Sequence, residues 1–198
     1  MGLVTFNGLT LETAPGHVMT PRIASEQLVA EACARISGRA RVADVGTGSG
    51  ALAIAIAVAC PEAQVWATEV DERAVALARA NVARVGLDDR VYVRRGDLLE
   101  PVPAPLDLIV ANLPYLAAST AERYPDLRAE PFDAVFAAGD GLGPYRRLVA
   151  AAATKLTPNG KLLLQLHRRV VVADRVELPA LLDALRGHGG LPVARHAA

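Results

Sequence analysis

The sequence predicts an α/β domain with a doubly wound, mostly parallel sheet and helices on both faces. Three observations predict it. Strand-like apolar runs alternate with helix-like periods along the 198 residues; several runs are continuously apolar, as strands covered on both faces are; and the first run ends in a glycine cluster. The chain is 52% apolar and 4% aromatic, with 21 basic and 21 acidic residues and a formal net charge of zero. That is enough chain to bury one core without disulfides or structural metal. The balanced charge shows none of the excess of basic residues that phosphate neutralisation favours.

Val4 to Arg22 reads as a hairpin, making 1–24 a lead-in and 25–198 the domain proper. Arg41 to Val45 is a short buried strand, followed by an apolar helix from Ser49 to Ala59 that Pro61 stops. Gln64 to Glu69 forms the second strand. Glu72 to Val85 is an amphipathic helix with Ala74, Leu77, Ala78 and Val82 on one face and Gly86 at its end. Arg90 to Arg94 alternates like a half-exposed strand, and Leu106 to Ala111 is fully apolar apart from Asp107. Leu113 to Gly139 reads as irregular. A helix over Gly143 to Leu156, a turn at Thr157-Pro158-Asn159-Gly160, a buried strand over Lys161 to Leu166 and a helix over Glu177 to Arg186 follow, and Gly190 to Ala198 reads as a frayed tail.

Few other classes fit. The start of the chain lacks the charged end and apolar core of a signal peptide. The longest uncharged apolar run, Ala51 to Cys60, is too short for a membrane span. The expectation is a cytoplasmic protein without a membrane partner. Cys33 and Cys60, distant in sequence and in apolar contexts, read as reduced structural thiols, and no metal site is expected. All basic residues but Lys155 and Lys161 are arginine, which reads as codon bias.

Ligands of such sheets sit beyond the C-terminal strand ends at the switch point, so the residues there are the candidates. Asp44-Val45-Gly46-Thr47-Gly48-Ser49-Gly50 follows the first strand, where glycines let the backbone turn tightly and approach a ligand at a helix N-terminus. With Ala51 it also satisfies G-x-G-x-x-G/A, so it leaves a nicotinamide enzyme and an S-adenosylmethionine enzyme both open. Glu69, 23 residues beyond Gly46, ends the second strand where an acid accepts ribose hydroxyls. Asp97 ends the third, placed for an adenine amine, with Leu98 against the ring.

Asn112-Leu113-Pro114-Tyr115 ends the fourth strand. It resembles the Asn-Pro-Pro-Tyr tetrapeptide of methyltransferases that act on planar nitrogens. A delocalised lone pair makes such a nitrogen a poor nucleophile, and two carbonyl acceptors holding its N–H groups aim that lone pair at the methyl group. The resemblance assigns these acceptors to the Asn112 side chain and the Leu113 backbone, assigns stacking on the flat group to Tyr115, and gives Pro114 the task of stiffening the loop. Ribosomal-RNA adenine dimethyltransferases carry a similar Asn-Leu/Ile-Pro-Tyr.

Across residues 17 to 166 the chain resembles the HemK-like protein-(glutamine) methyltransferases, which methylate the glutamine of the Gly-Gly-Gln motif in peptide release factors. The likeness is carried by Thr20-Pro21-Arg22, Ser25-Glu26, Asp44 to Gly50, Glu69, Asp97, Asn112 to Tyr115, Glu130-Pro131, Gly139-Asp140-Gly141-Leu142 and Tyr145-Arg146. It implies a Rossmann-like class I fold and S-adenosyl-L-methionine as cofactor, held by Asp44, Gly46, Thr47, Gly48, Gly50, Glu69, Asp97, Leu98 and Asn112. It places catalysis at Asn112, Pro114 and Tyr115, and acceptor binding at Asn112, Leu113, Tyr115 and Glu130. The implied partner is a protein, a release factor. Competing expectations are methylation of an exocyclic amine in RNA or DNA, a non-catalytic binding module on the same fold, and a nicotinamide reductase, which leaves the tetrapeptide unexplained.

The sequence departs from the family in four places. Leu113 replaces the first proline of the tetrapeptide. The N-terminal helical domain of bacterial members is not expected. Gln165 stands where a glutamate often ends the fifth strand, and little chain follows for a closing antiparallel hairpin, Leu191 to Arg195 included, so the last strand is expected to be missing. His17 and His167 read as structural or solvated, and Arg146-Arg147 and Arg168-Arg169 as solvated helix or loop ends.

Overall fold

The computed structural model describes residues 2–167 and 169–187. β1 (Gly2–Phe6) and β2 (Leu9–Thr13) pair as the expected hairpin. Asn7 and Gly8 between them both adopt positive φ, 48° and 78°, the backbone a two-residue turn needs. α1 (Glu26–Cys33), β3 (Arg41–Val45), α2 (Ala51–Ala59), β4 (Gln64–Glu69), α3 (Glu72–Val85), β5 (Val91–Arg95) and β6 (Leu106–Ala111) follow. Within the segment read as irregular lie β7 (Leu116–Ala117), α4 (Phe132–Val135) and β8 (Phe136–Ala137), and then come α5 (Gly143–Lys155), β9 (Leu156–Leu166), β10 (Arg169–Asp174) and α6 (Leu178–Arg186).

The main sheet has the order β10-β9-β6-β3-β4-β5 and is parallel except for β10. From β3 the chain winds outward through β4 and β5, then crosses back to β6 on the other side of β3. The switch point therefore lies between β3 and β6. Val45 pairs with Ala111 across it, so the loops leaving the two strands start level.

Alternation along the strands divides the core. Val42, Val65, Ala67, Val91, Val93, Val110 and Leu163 pack with α1, α2 and α3, while Ala43, Val45, Ile109, Ala111, Leu162 and Leu164 pack with α5 and α6. α2 is apolar on every side because it is buried between sheet and neighbouring helices. The hairpin belongs to the first of these cores through Phe6 and Leu11. Buried Asn81 of α3 stitches it down, accepting from the Glu12 N–H at 2.8 Å and donating to Glu12 O at 3.0 Å and Ser49 O at 2.9 Å.

Three details differ from the sequence reading. α2 starts at Ala51 because Gly50 is left-handed at φ 84°. β9 begins at Leu156, through the expected turn. β10 is a strand the sequence reading did not assign: it pairs antiparallel with β9 directly after a turn in which His167 has φ 55°, and it is the sixth strand of the main sheet among the described residues. The Gln165 amide donates to His167 O at 3.0 Å and to Arg169 O at 3.3 Å, holding that turn without the glycine or asparagine that usually marks a hairpin. Leu191 to Arg195, the tail from Gly190 and Arg168 lie outside the described residues.

Gly141 ties the irregular segment to the sheet end. Its φ is 87°, and a Cβ there would lie 2.5 Å from Tyr115 O and 2.7 Å from Ala117 N. Gly139 is also left-handed, at φ 66°, but faces open space. In equilibrium urea unfolding, Gly139→Ala is expected to cost ~1 kcal/mol for the left-handed backbone alone and Gly141→Ala ~3 kcal/mol or more.

Candidate active site

The glycine loop leaves β3 with Gly46, Gly48 and Gly50 all at positive φ. Gly46 and Thr47 donate their N–H groups to Thr68 O, each at 2.9 Å, tying the loop to the end of β4. A Cβ on Gly46 would stand 2.6 Å from Leu113 Cδ2. The loop after β3 and the tetrapeptide after β6 therefore touch at this glycine.

Asp44 stands behind the loop, not on its open side. Its Oδ2 accepts from the Thr47 hydroxyl at 2.5 Å and the Ala53 N–H at 3.1 Å, joining strand, loop and first turn of α2. Its Oδ1 is buried without a partner. Burial pushes the carboxyl up to about 6, against the pull of the two hydrogen bonds and with a further push from the charge of Glu69.

Glu69 turns back under the loop. Oε2 accepts from the Gly48 N–H at 3.0 Å, and Oε1 from the N–H groups of Val70 at 2.8 Å and Asp71 at 3.2 Å. A carboxylate offers about four acceptor positions. One is left for a ligand hydroxyl, and the long Asp71 bond is the one a second hydroxyl would replace. At the end of β5, Asp97 pairs with Arg147 of α5, an arginine the sequence reading left in solvent.

Asn112 and Leu113 leave β6 under tight control. The Asn112 side-chain amide donates to Ser25 Oγ at 3.1 Å. The Leu113 N–H donates to the Tyr145 hydroxyl at 3.0 Å, and that hydroxyl donates to Gln165 O at 2.5 Å. Tyr115 is half-buried, with the His167 ring edge-on at 5.1 Å and Tyr145 at 6.5 Å, and burial raises its phenol above the ordinary range.

Glu130, expected on the acceptor, is engaged by the protein itself. Oε2 accepts from the Thr20 N–H at 3.0 Å and Oε1 from Arg22 at 3.3 Å, so it fastens the lead-in over the tetrapeptide side of the site.

These loops enclose a cavity of about 360 Å³, within the ~300–1,000 Å³ of small-molecule sites. Gly46, Gly48, Glu69, Asp97, Leu98, Asn112, Leu113 and Pro114 line it, so the ends of all four strands meet as expected. Asp44, Thr47, Gly50, Tyr115 and Glu130 do not line it. His17, Met19, Thr68, Phe132 and Arg147 line it without having been singled out as ligands. A smaller cavity of about 60 Å³ adjoins, walled by Arg22, Ser25, Thr47, Gly48 and Asn112 among others. Gly46, Gly48, Met19 and Asn112 border both. Ser25 and Tyr145 carried only the family likeness in sequence, because a hydrogen bond across 87 or 32 residues leaves no local pattern.

Cys33 and Cys60 meet at the ends of α1 and α2 as free thiols, a proximity their spacing did not suggest; burial and the Cys60 contact push Cys33 up to about 12. Among the described residues no cluster of three or more His, Cys, Asp or Glu is placed to hold a metal, and no helix is long and apolar enough to cross a membrane.

The methyltransferase small domain family matches residues 21–126, more than half of the chain. The chain is similar to release factor glutamine methyltransferases of Gloeobacter violaceus, 41% identical over 83% of this chain and 59% of that protein, and of Deinococcus radiodurans, 42% identical over 85% and 60%. It spans about three fifths of the length of these curated relatives. Among solved structures it is similar to a ribosomal protein L11 methylase of Lactobacillus delbrueckii subsp. bulgaricus, with TM-score 0.52, 26% identity and coverage of 72% of this chain and 60% of that one. A precorrin 8W decarboxylase of Methanobacterium thermoautotrophicum shares the fold, with TM-score 0.54 at 18% identity over 85% of this chain and 73% of that one.

Asp44 sets a pH dependence. Folding keeps its proton up to about pH 6, whereas the unfolded chain releases it near 3.8. The folded state thus binds more protons between those values, and stability falls as pH rises through that window, by ~3 kcal/mol in total. Asp44→Asn keeps an acceptor for Thr47 and Ala53 without the titrating charge. Thermal unfolding between pH 4 and 7.5 is expected to show this contribution in the ligand-free wild type and to lose it in the variant.

Proposed function

The chain belongs to the methyltransferase small domain family, and we propose that it is an S-adenosylmethionine-dependent N-methyltransferase whose acceptor is a glutamine side-chain amide in a protein, a peptide release factor. The observation that carries this reading is the meeting of Asn112 and Leu113 with the glycine loop at one cavity. The names of the relatives, release factor glutamine methyltransferase, support the acceptor.

The residues present fit the cofactor. Gly46 and Gly48 bring bare backbone to the cavity wall, Glu69 keeps an acceptor position for a ribose hydroxyl, and Asp97 with Leu98 provides an acceptor beside an apolar surface for an adenine. Bound there, S-adenosylmethionine supplies a methyl group made electrophilic by its sulfonium. Asp44, with Thr47 and Gly50, acts from behind by fixing the loop, and its buried carboxyl favours a cation in front of it.

Asn112 Oδ1 and the Leu113 carbonyl accept the two N–H bonds of the acceptor amide. This turns the nitrogen lone pair toward the methyl group, and transfer is an in-line displacement in which placement does most of the work. Pro114 limits the loop's freedom, and Tyr115, which does not line the cavity, packs edge-on with the His167 ring. Glu130 contributes by holding the lead-in in place. No side chain has to abstract a proton before the methyl group moves: the sulfonium sulfur would leave as a neutral thioether with the electron pair of its bond to the methyl group, and the extra proton on the methylated nitrogen would then pass to solvent.

Labelled S-adenosylmethionine, presented with a Gly-Gly-Gln release factor and with RNA, tests the reading. Label is expected in the protein, resistant to nuclease and lost with protease; label in RNA instead, with binding that falls steeply with salt, overturns the acceptor. Asn112→Ala is expected to lower kcat about 100-fold or more while S-adenosylmethionine still raises the melting temperature. Transfer at the wild-type rate in that variant overturns the mechanism.

A further inference from the structure

A carboxamide is nearly symmetric in shape and opposite in polarity at its two ends. Turned the wrong way, Asn112 would present N–H groups to the N–H groups of an acceptor amide, and attraction would become repulsion. Something in the wall must select the end that faces the acceptor.

Ser25 is placed to do so. Its Oγ lies 3.1 Å from Asn112 Nδ2, and its side chain is buried at the start of α1. Its own N–H is held by Arg22 O at 2.9 Å. The stretch carrying it is fastened at Thr20 and Arg22 by Glu130. Ser25 and Asn112 both wall the smaller cavity, while Asn112 also borders the larger one. A hydroxyl can donate or accept, and in this contact the Ser25 Oγ is the acceptor and the amino end of Asn112 the donor.

We infer that Ser25 is a positioning residue: its hydroxyl oxygen takes the amino end of the Asn112 amide and leaves Oδ1 as the end offered to the acceptor nitrogen. The inference rests on the reading of this cavity as a methyl-transfer site for a planar nitrogen. It gives the lead-in a function. Through Glu130, Thr20, Arg22 and Ser25, a segment distant in sequence sets the polarity of the acceptor site.

The test compares Ser25→Ala with Ser25→Thr, which keeps the hydroxyl. Each is measured for kcat and KM, for S-adenosylmethionine affinity, and for the Asn112 side-chain amide resonances in the labelled protein. Ser25→Ala is expected to lower kcat about tenfold or more, the order of one lost hydrogen bond, with cofactor affinity and melting temperature close to wild type and the Asn112 amide resonances shifted. Ser25→Thr is expected to restore both kcat and resonances. Wild-type kcat in Ser25→Ala, or equal loss in both variants, overturns the inference. If the wild type methylates RNA and not the glutamine, the proposed acceptor falls and the same comparison is made on RNA. If it methylates neither, the resonances decide alone: no shift in Ser25→Ala overturns the contact, and a shift reversed by threonine supports it.

Discussion

Gly46 and Leu113 approach so closely that a Cβ at position 46 would lie 2.6 Å from Leu113 Cδ2, and the geometry of the site follows from this contact. It arises from the register of two central parallel strands, Val45 opposite Ala111, which delivers both loops to the same level. Only a residue with no side chain and a left-handed backbone fits between them. The half of the site made by the glycine loop and the half made by the tetrapeptide therefore share one wall, and neither can move far without the other.

Three carboxylates organise that wall, each from a different direction. Asp44 joins strand, loop and helix from behind, Glu69 gathers the N–H groups of Gly48, Val70 and Asp71 from the side, and Glu130 holds Thr20 and Arg22 of the lead-in. Only Asp44 is fully buried, and only it is left with an orphan oxygen. An unpartnered acceptor of this kind is costly in the free protein, and Asp44 is accordingly the one whose proton is held up to about pH 6.

The fold was largely legible because periodicity and glycine punctuation are local. Strand ends, helix order and the convergence of Gly46, Glu69, Asp97 and Asn112 all follow from short windows and a topological rule. What escaped was non-local or unmarked. β10 follows a turn held by the Gln165 amide and carries no turn residue; Arg147 enters the site only because α5 runs past the end of β5; the bonds of Glu130 to Thr20 and Arg22 span more than a hundred residues and leave no local pattern. Cys33 and Cys60 illustrate the same limit, since helix ends meet in space without any trace in spacing.

The replacement of proline by Leu113 has a physical answer in Tyr145. That hydroxyl has one proton and three neighbours: the Leu113 N–H at 3.0 Å, Gln165 O at 2.5 Å and Leu113 O at 3.3 Å. The proton goes to the nearer carbonyl, Gln165 O, and the hydroxyl oxygen receives the Leu113 N–H. The Leu113 carbonyl thereby keeps its accepting capacity. Burial raises the Tyr145 phenol well above its ordinary range, so the proton that makes this arrangement stays in place. Proline at 113 would fix one backbone angle but have no N–H to give. Leucine gives up that restriction and gains a buried tie to the end of β9, so a hydrogen bond holds the backbone of the tetrapeptide.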